Sequence, residues 1–160
     1  MSIELIRVDH RLVHGQVTMG WTRAVGADVI VVVNDRAAGN AFEANLMQMA
    51  VPAGVRLEVL SLDQGIAAAE AGSWPDGRVL LLVSNPVDLL KLLNAGLEAK
   101  TVNIGGVRSE GAGIKLTKEV HATEDEVEAW KAMNDRGLEL SVQWLPSQRR
   151  KALNDAVAKR

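Results

Sequence analysis

The sequence predicts an α/β protein: a single-domain three-layer sandwich with an open, mainly parallel β-sheet and helices on both faces. Two apolar runs carry the prediction, Val29-Ile30-Val31-Val32-Val33 and Val79-Leu80-Leu81-Leu82-Val83. No polar residue interrupts either run, as expected of strands covered on both faces of a parallel sheet. Such runs also alternate with helix-length segments, the pattern of strands joined by crossover helices. At 160 residues the chain fits one domain, residues 1–160, with a substantial core.

The elements follow in order. A first strand, Ile3–Val8, leads into a helix over Gln16–Ala24. Asp28–Val33 is the second strand, followed by a helix over Ala41–Met49. Arg56–Leu60 with Asp63–Ala71, and Val79–Val83 with Val87–Leu93, repeat the strand–helix pair. The last of these helices has a clear start: Ser84-Asn85 offers a capping side chain, and Pro86 suits the first turn. Gly96 supplies its stop. Thr101–Ile104 is a further strand, and Gly105–Gly113, with four glycines, is a loop. Leu116–His121 reads as another strand. Thr123-Glu124-Asp125-Glu126 is a capping box opening a helix that ends near Asp135. Glu139–Leu145 alternates like a strand. Pro146 is expected to start a final amphipathic helix over Ser147–Ala158 that frays into a basic tail.

Composition narrows the function. The formal net charge is −2, so there is no electrostatic case for nucleic-acid binding. The chain has no cysteine, which removes disulfides, thiolate metal sites and thiol catalysis together. The N-terminus, Met1-Ser2-Ile3-Glu4, does not read as a secretion signal. No apolar run approaches the roughly 20 residues of a spanning helix. The expectation is a cytoplasmic protein. No nucleotide-binding glycine motif is present, and no cofactor is expected.

The chemistry concentrates just after the first strand, in Arg7-Val8-Asp9-His10-Arg11-Leu12-Val13-His14-Gly15-Gln16-Val17. Arginine binds phosphate oxygens through paired donors of its planar fork. Histidine is a nitrogen nucleophile that titrates near neutral pH. A nucleophile beside such clamps suggests phosphoryl transfer through a phosphohistidine. His14 falls where ligands bind in open α/β sheets, beyond the carboxyl end of a strand. Gly15 permits close backbone approach, and the following helix offers free N–H groups. Arg11 is the firmest phosphate ligand. Arg7 either joins it or pairs with Asp9 or Glu4. Asp9 either orients His14 or Arg11, or simply completes a turn. Gly105 and Gly106 follow a strand end and either wall the phosphate site or form a tight turn. Asn34, Asp35 and Ser84 also end strands and border the same crevice, unless they serve only as caps. A metal site built on Asp9, His10 and His14 lacks further ligands and is opposed by the arginines, so no metal is expected. The tryptophans are scattered, which favours packing roles.

This loop resembles that of the IIB component of the mannose/fructose/sorbose family of the bacterial phosphoenolpyruvate-dependent sugar phosphotransferase system. Family members carry Arg-x-Asp-x-Arg-Leu-x-His-Gly-Gln-Val, and its histidine is the phosphorylated residue. Val33-Asn34-Asp35, Leu46–Pro52, Asn103-Ile104-Gly105-Gly106 and Glu124–Trp130 also look like family blocks, in the family's order. The resemblance implies a phosphocarrier enzyme that takes a phosphoryl group from phosphohistidine on a IIA component onto His14. It then passes the group to a sugar held by membrane IIC and IID components, at which it associates peripherally. It further implies Nδ1 as the phosphorylated atom, and the family favours homodimers. Two other readings stay open on the residues alone. One is a regulatory phosphohistidine protein uncoupled from transport; the other is a non-enzymatic anion-binding module.

Overall fold

The computed structural model describes residues 1–160. The strands are β1 (Ser2–Val8), β2 (Val29–Val33), β3 (Arg56–Leu60), β4 (Arg78–Val83), β5 (Thr101–Ile104), β6 (Ile114–Lys115), β7 (His121–Ala122), β8 (Glu139–Val142) and β9 (Lys151–Ala152). The helices are α1 (Gly15–Val25), α2 (Asp35–Ala38), α3 (Ala41–Ala50), α4 (Leu62–Ala71), α5 (Pro86–Asn94), α6 (Glu124–Asp135) and α7 (Asn154–Ala158). Seven strands form one sheet in the order β3-β2-β4-β1-β5-β8-β9. Every pairing in it is parallel except β8 with β9. The expected open, mainly parallel sheet is therefore present. No helix is long and apolar enough to cross a membrane.

The two apolar runs occupy the middle of the sheet, and their alternation assigns each residue to a face. Val29, Val31, Val33, Val79, Leu81 and Val83 face one core, with Leu89 and Leu92 of α5 and Trp130 and Met133 of α6. Ile30, Val32, Leu80 and Leu82 face the other, with Trp21 of α1, Ala37 of α2 and Met47 of α3. A period of two leaves no position in either apolar run that water can reach. All the parallel strands end on one edge, so the loops following β1, β2, β4, β5 and β8 share that edge.

Three expectations need correction. Leu116–His121 is not a strand. It is the reversal between β6, which ends at Lys115, and β7, which starts at His121; Lys115 lies opposite His121, and Leu116 N–H donates to Val120 O at 3.0 Å. The strand at Glu139 stops at Val142, and Trp144 and Leu145 leave the sheet. No helix starts at Pro146. The chain turns there, pairs antiparallel with β8 through Lys151–Ala152, and forms a helix only over Asn154–Ala158. The open edge of β8 needs hydrogen-bond partners, and Leu153 N–H supplies one to Leu140 O at 2.8 Å. The one-turn α2 was not expected; its signal is Asn34, whose side chain accepts from Ala37 N–H.

Candidate active site

The loop between β1 and α1 is held by its own backbone. Asp9 is fully buried; its Oδ1 accepts from Arg11 N–H at 3.0 Å and its carbonyl from Leu12 N–H at 3.0 Å. That turn forces Leu12 to φ 57, the only non-glycine residue with positive φ. Such a conformation costs about 1–3 kcal/mol. Burial of the Leu12 side chain in the α1–α3 core offsets it, since a buried leucine contributes about 1.5–3 kcal/mol. His14 follows as the N-cap of α1, with extended backbone and an imidazole that makes no capping bond. Its N–H instead donates to Thr18 Oγ1 at 2.9 Å. Helices α2 to α6 all start on a side-chain cap, whereas the start of α1 has none and no acidic residue in its first turn. Its positive end is therefore left facing the loop.

Below the histidine lies a buried relay of charge. Asp9 Oδ2 is 3.1 Å from His14 Nε2 and 3.2 Å from Arg7 Nη2. Burial pushes the Asp9 carboxyl up, but the His14 hydrogen bond, the Arg11 N–H and the Arg7 charge together hold it below the usual carboxylate range. An ionised carboxylate only accepts hydrogen bonds. Nε2 therefore carries the hydrogen that points to Asp9, and in the neutral ring the lone pair sits on Nδ1. Nδ1 makes no hydrogen bond.

Of the readings open to Arg7, phosphate ligand or partner of Asp9 or Glu4, the structure shows the pairing with Asp9. It is 2% exposed, and Nη1 donates to Asn103 Oδ1 and Gln143 O while Nη2 donates to Asp9 and, at 3.3 Å, Trp144 O. Its guanidinium also lies 5.2 Å from the centre of the Trp21 ring. With four acceptors in place around Nη1 and Nη2, Arg7 is the anchor of Asp9. Burial lowers its pKa, and the Asp9 charge opposes that.

The other expected residues divide. Arg11 is exposed three residues before His14 in the same loop, and its guanidinium stacks 4.8 Å over the Trp144 ring. Gly15, at φ 48 with open space around it, starts α1 beside His14. Gly105 and Gly106 do border the loop, but through contacts other than an open phosphate wall. Gly105 N–H is taken by Val8 O, and Gly106 O accepts from His10 N–H and lies 2.7 Å from His10 Nδ1. Asn34, Asp35 and Ser84 lie on the same sheet edge but act on their own surroundings. Asn34 bridges Ala37 N–H to Ser84 Oγ, and Asp35 accepts from Leu62 N–H. None of the three hydrogen-bonds to His14 or Arg11. His121 pairs with Arg108. Asn103, Gln143 and Trp144 escaped sequence reading as site residues, because they reach the loop from β5 and from the segment after β8, more than 90 positions away.

The close approach of Gly105 is testable. A Cβ there would collide with Arg7 Nη2 and Asp9 Oδ2. Gly105→Ala is expected to cost about 1–3 kcal/mol by overpacking. It should also displace Asp9 from His14, which a lost Asp9-dependent shift of the His14 ring resonances would report. Unchanged stability and ring resonances would refute this account of Gly105.

Comparison with known proteins bears on the same loop. A family model described as "PTS system sorbose subfamily IIB component" matches residues 3–160. The fructose-specific EIIB component of Bacillus subtilis is 34% identical over 147 residues, covering 92% of this chain and 90% of that protein. The mannose-specific EIIAB component of Escherichia coli K12 is 31% identical over 159 residues, covering 99% of this chain. This chain spans 49% of that longer relative. Among solved structures, the IIBSor domain of the sorbose permease from Klebsiella pneumoniae superposes with a TM-score of 0.89 at 30% identity, covering 99% of this chain and 98% of that one.

Proposed function

The chain belongs to the sorbose-subfamily IIB components of the sugar phosphotransferase system, and from that premise we propose that it is a phosphocarrier acting through His14. The lone pair on His14 Nδ1 attacks the phosphorus of a phosphohistidine on the IIA component. A new P–N bond forms as the donor's P–N bond breaks, and the donor imidazole leaves with its electron pair. The His14 ring gains positive charge during attack, and the Asp9 carboxylate on Nε2–H stabilises it. Arg11 and the free N–H groups of α1 receive the phosphate oxygens. In the second step a sugar hydroxyl, held by the membrane IIC and IID components, attacks the phosphorus. The His14 P–N bond breaks, and the hydroxyl proton leaves to a base of the acceptor. The chain works in the cytoplasm, at the inner face of that transporter. Little covalent chemistry is asked of the protein beyond position and charge.

The observation that carries this reading is the Asp9 carboxylate 3.1 Å from Nε2, which leaves Nδ1 as the nucleophile in the loop that also carries Arg11. The test is incubation with phosphorylated IIA from the same operon, followed by mapping and 31P NMR. The expected product is one acid-labile, alkali-stable phosphate on His14 Nδ1. An Nε2 linkage would overturn the role given to Asp9, and absence of transfer would overturn the phosphocarrier reading.

Arg11 supplies a graded prediction. Arg11→Ala should slow single-turnover transfer about 10²–10³-fold, the scale of losing one donor to transition-state charge. Arg11→Lys keeps the charge without the fork and should recover only part. Trp144→Ala removes the ring under Arg11 and should cost only a few-fold, since an exposed cation–π contact contributes about 0.5–1 kcal/mol. Trp144→Phe should restore most of that. A wild-type transfer rate in Arg11→Ala would remove Arg11 from the step.

A further inference from the structure

Helix α3 is apolar on two sides. Met47 faces the core, packed with Ala50 and Val51. On the opposite side Phe42 is 71% exposed, Leu46 50% and Met49 83%. Their spacing, i, i+4 and i+7, aligns them as one stripe along the helix. Apart from Met1 and Trp144, they are the only large hydrophobic side chains left exposed. Apolar side chains scattered singly need no explanation, but three in a row on one helix face mark a contact surface.

The stripe is continuous with the His14 loop. Leu46 and Met47 line a notch of about 150 Å³ whose other walls are Arg11 and Leu12, from the loop, with Arg36, Ala37 and Glu43. A body seated on the stripe therefore reaches the arginine expected to clamp the phosphate. A lasting dimer through this face would cover the loop that has to meet a donor and an acceptor in turn. The occupant must come and go with each turnover.

We infer that the Phe42–Leu46–Met49 stripe is the apolar part of the docking surface for the IIA donor, a folded domain presenting an apolar patch beside its own phosphohistidine. The inference rests on the phosphocarrier reading and deepens it. Of the two partners that meet His14, the donor is the one that the E. coli mannose relative, an EIIAB component, carries on the same polypeptide as its IIB part. A contact of three side chains suits a short-lived complex of modest area. Burial of a few apolar anchors nevertheless carries most of such an interface's affinity.

The experiment compares wild type with a Phe42→Ser/Leu46→Ser/Met49→Ser variant. All three side chains are exposed, so the fold is retained, and circular dichroism checks it. Labelling by phosphoramidate, a small donor that needs no docking, should be unchanged. With phosphorylated IIA, KM should rise roughly tenfold or more while kcat holds. Leu46→Met alone should behave as wild type. A wild-type KM for IIA in the triple variant overturns the inference. So does slowed transfer only to transporter vesicles, which would assign the stripe to the acceptor, or a drop from dimer to monomer in sedimentation, which would assign it to a second copy. If instead wild type takes no phosphate from IIA although titration of unphosphorylated IIA perturbs α3, the phosphocarrier reading falls and the docking surface stands.

Discussion

His14→Ala is expected to abolish phosphoryl transfer from IIA completely while leaving the fold in place. The imidazole supplies the only nitrogen in the loop that combines a free lone pair with a carboxylate behind it. Structure does not depend on the ring. The contact that holds this position is made by the backbone, His14 N–H to Thr18 Oγ1, which alanine keeps. Asp9 would lose the His14 bond but retain Arg7 and the Arg11 N–H. Thermal stability should therefore move little, while acid-labile labelling disappears. His10→Ala and His121→Ala should both remain substrates, because His10 is engaged with Gly106 O and His121 with Arg108. Loss of labelling in His10→Ala with full labelling in His14→Ala would reverse the assignment.

Arg7→Met should be the most destabilising single substitution in the site. It leaves the Asp9 carboxylate buried without its charged partner and strips the acceptors at Asn103 and Gln143 of their donor, while Trp144 O keeps only the Trp21 Nε1–H. Breaking one side of a buried pair costs about 3–5 kcal/mol, which chemical denaturation would read directly. The pH dependence follows from the Asp9 shift. Its folded-state pKa lies below the ordinary value, so the unfolded chain takes up protons first as pH falls. Asp9 thus contributes stability that is fully present above the unfolded value of about 3.9. That contribution is lost as pH drops through the folded value. Removing Arg7 takes away one of the groups holding the carboxyl down, so the acid limb should begin at higher pH in Arg7→Met than in wild type. Superimposable acid limbs would show that Arg7 does not hold the Asp9 charge.

Much of the framework was legible because its signals are local. The β2 and β4 runs announce burial on both faces, and the caps at Asn85 and Thr123 announce where α5 and α6 begin. The C-terminal segment differs from the expected helix because its pattern is ambiguous. Leu153 and Val157, four apart, suit a helix, but the residues before them answer to the unpaired edge of β8, which no local pattern reveals. Trp144 looked like one of several scattered tryptophans. Its place beneath Arg11 depends on the chain leaving β8 after Val142.

Local sequence sets the sheet's interior strands, the strand-to-helix position of His14 and the presence of Asp9, Arg11 and Gly15 around it. These depend on spacing along one short stretch and on burial forced by runs of apolar side chains. Tertiary structure alone decided the rest. It turned Arg7 inward as the anchor of Asp9, made Gly105 the gap that admits their pair, and placed Asp9 against Nε2 so that Nδ1 keeps the lone pair. A charged side chain near a strand end has no preferred partner until distant strands bring one within reach. Asn103 and Gln143, 96 and 136 positions along the chain, are what gave Arg7 a buried place to stay.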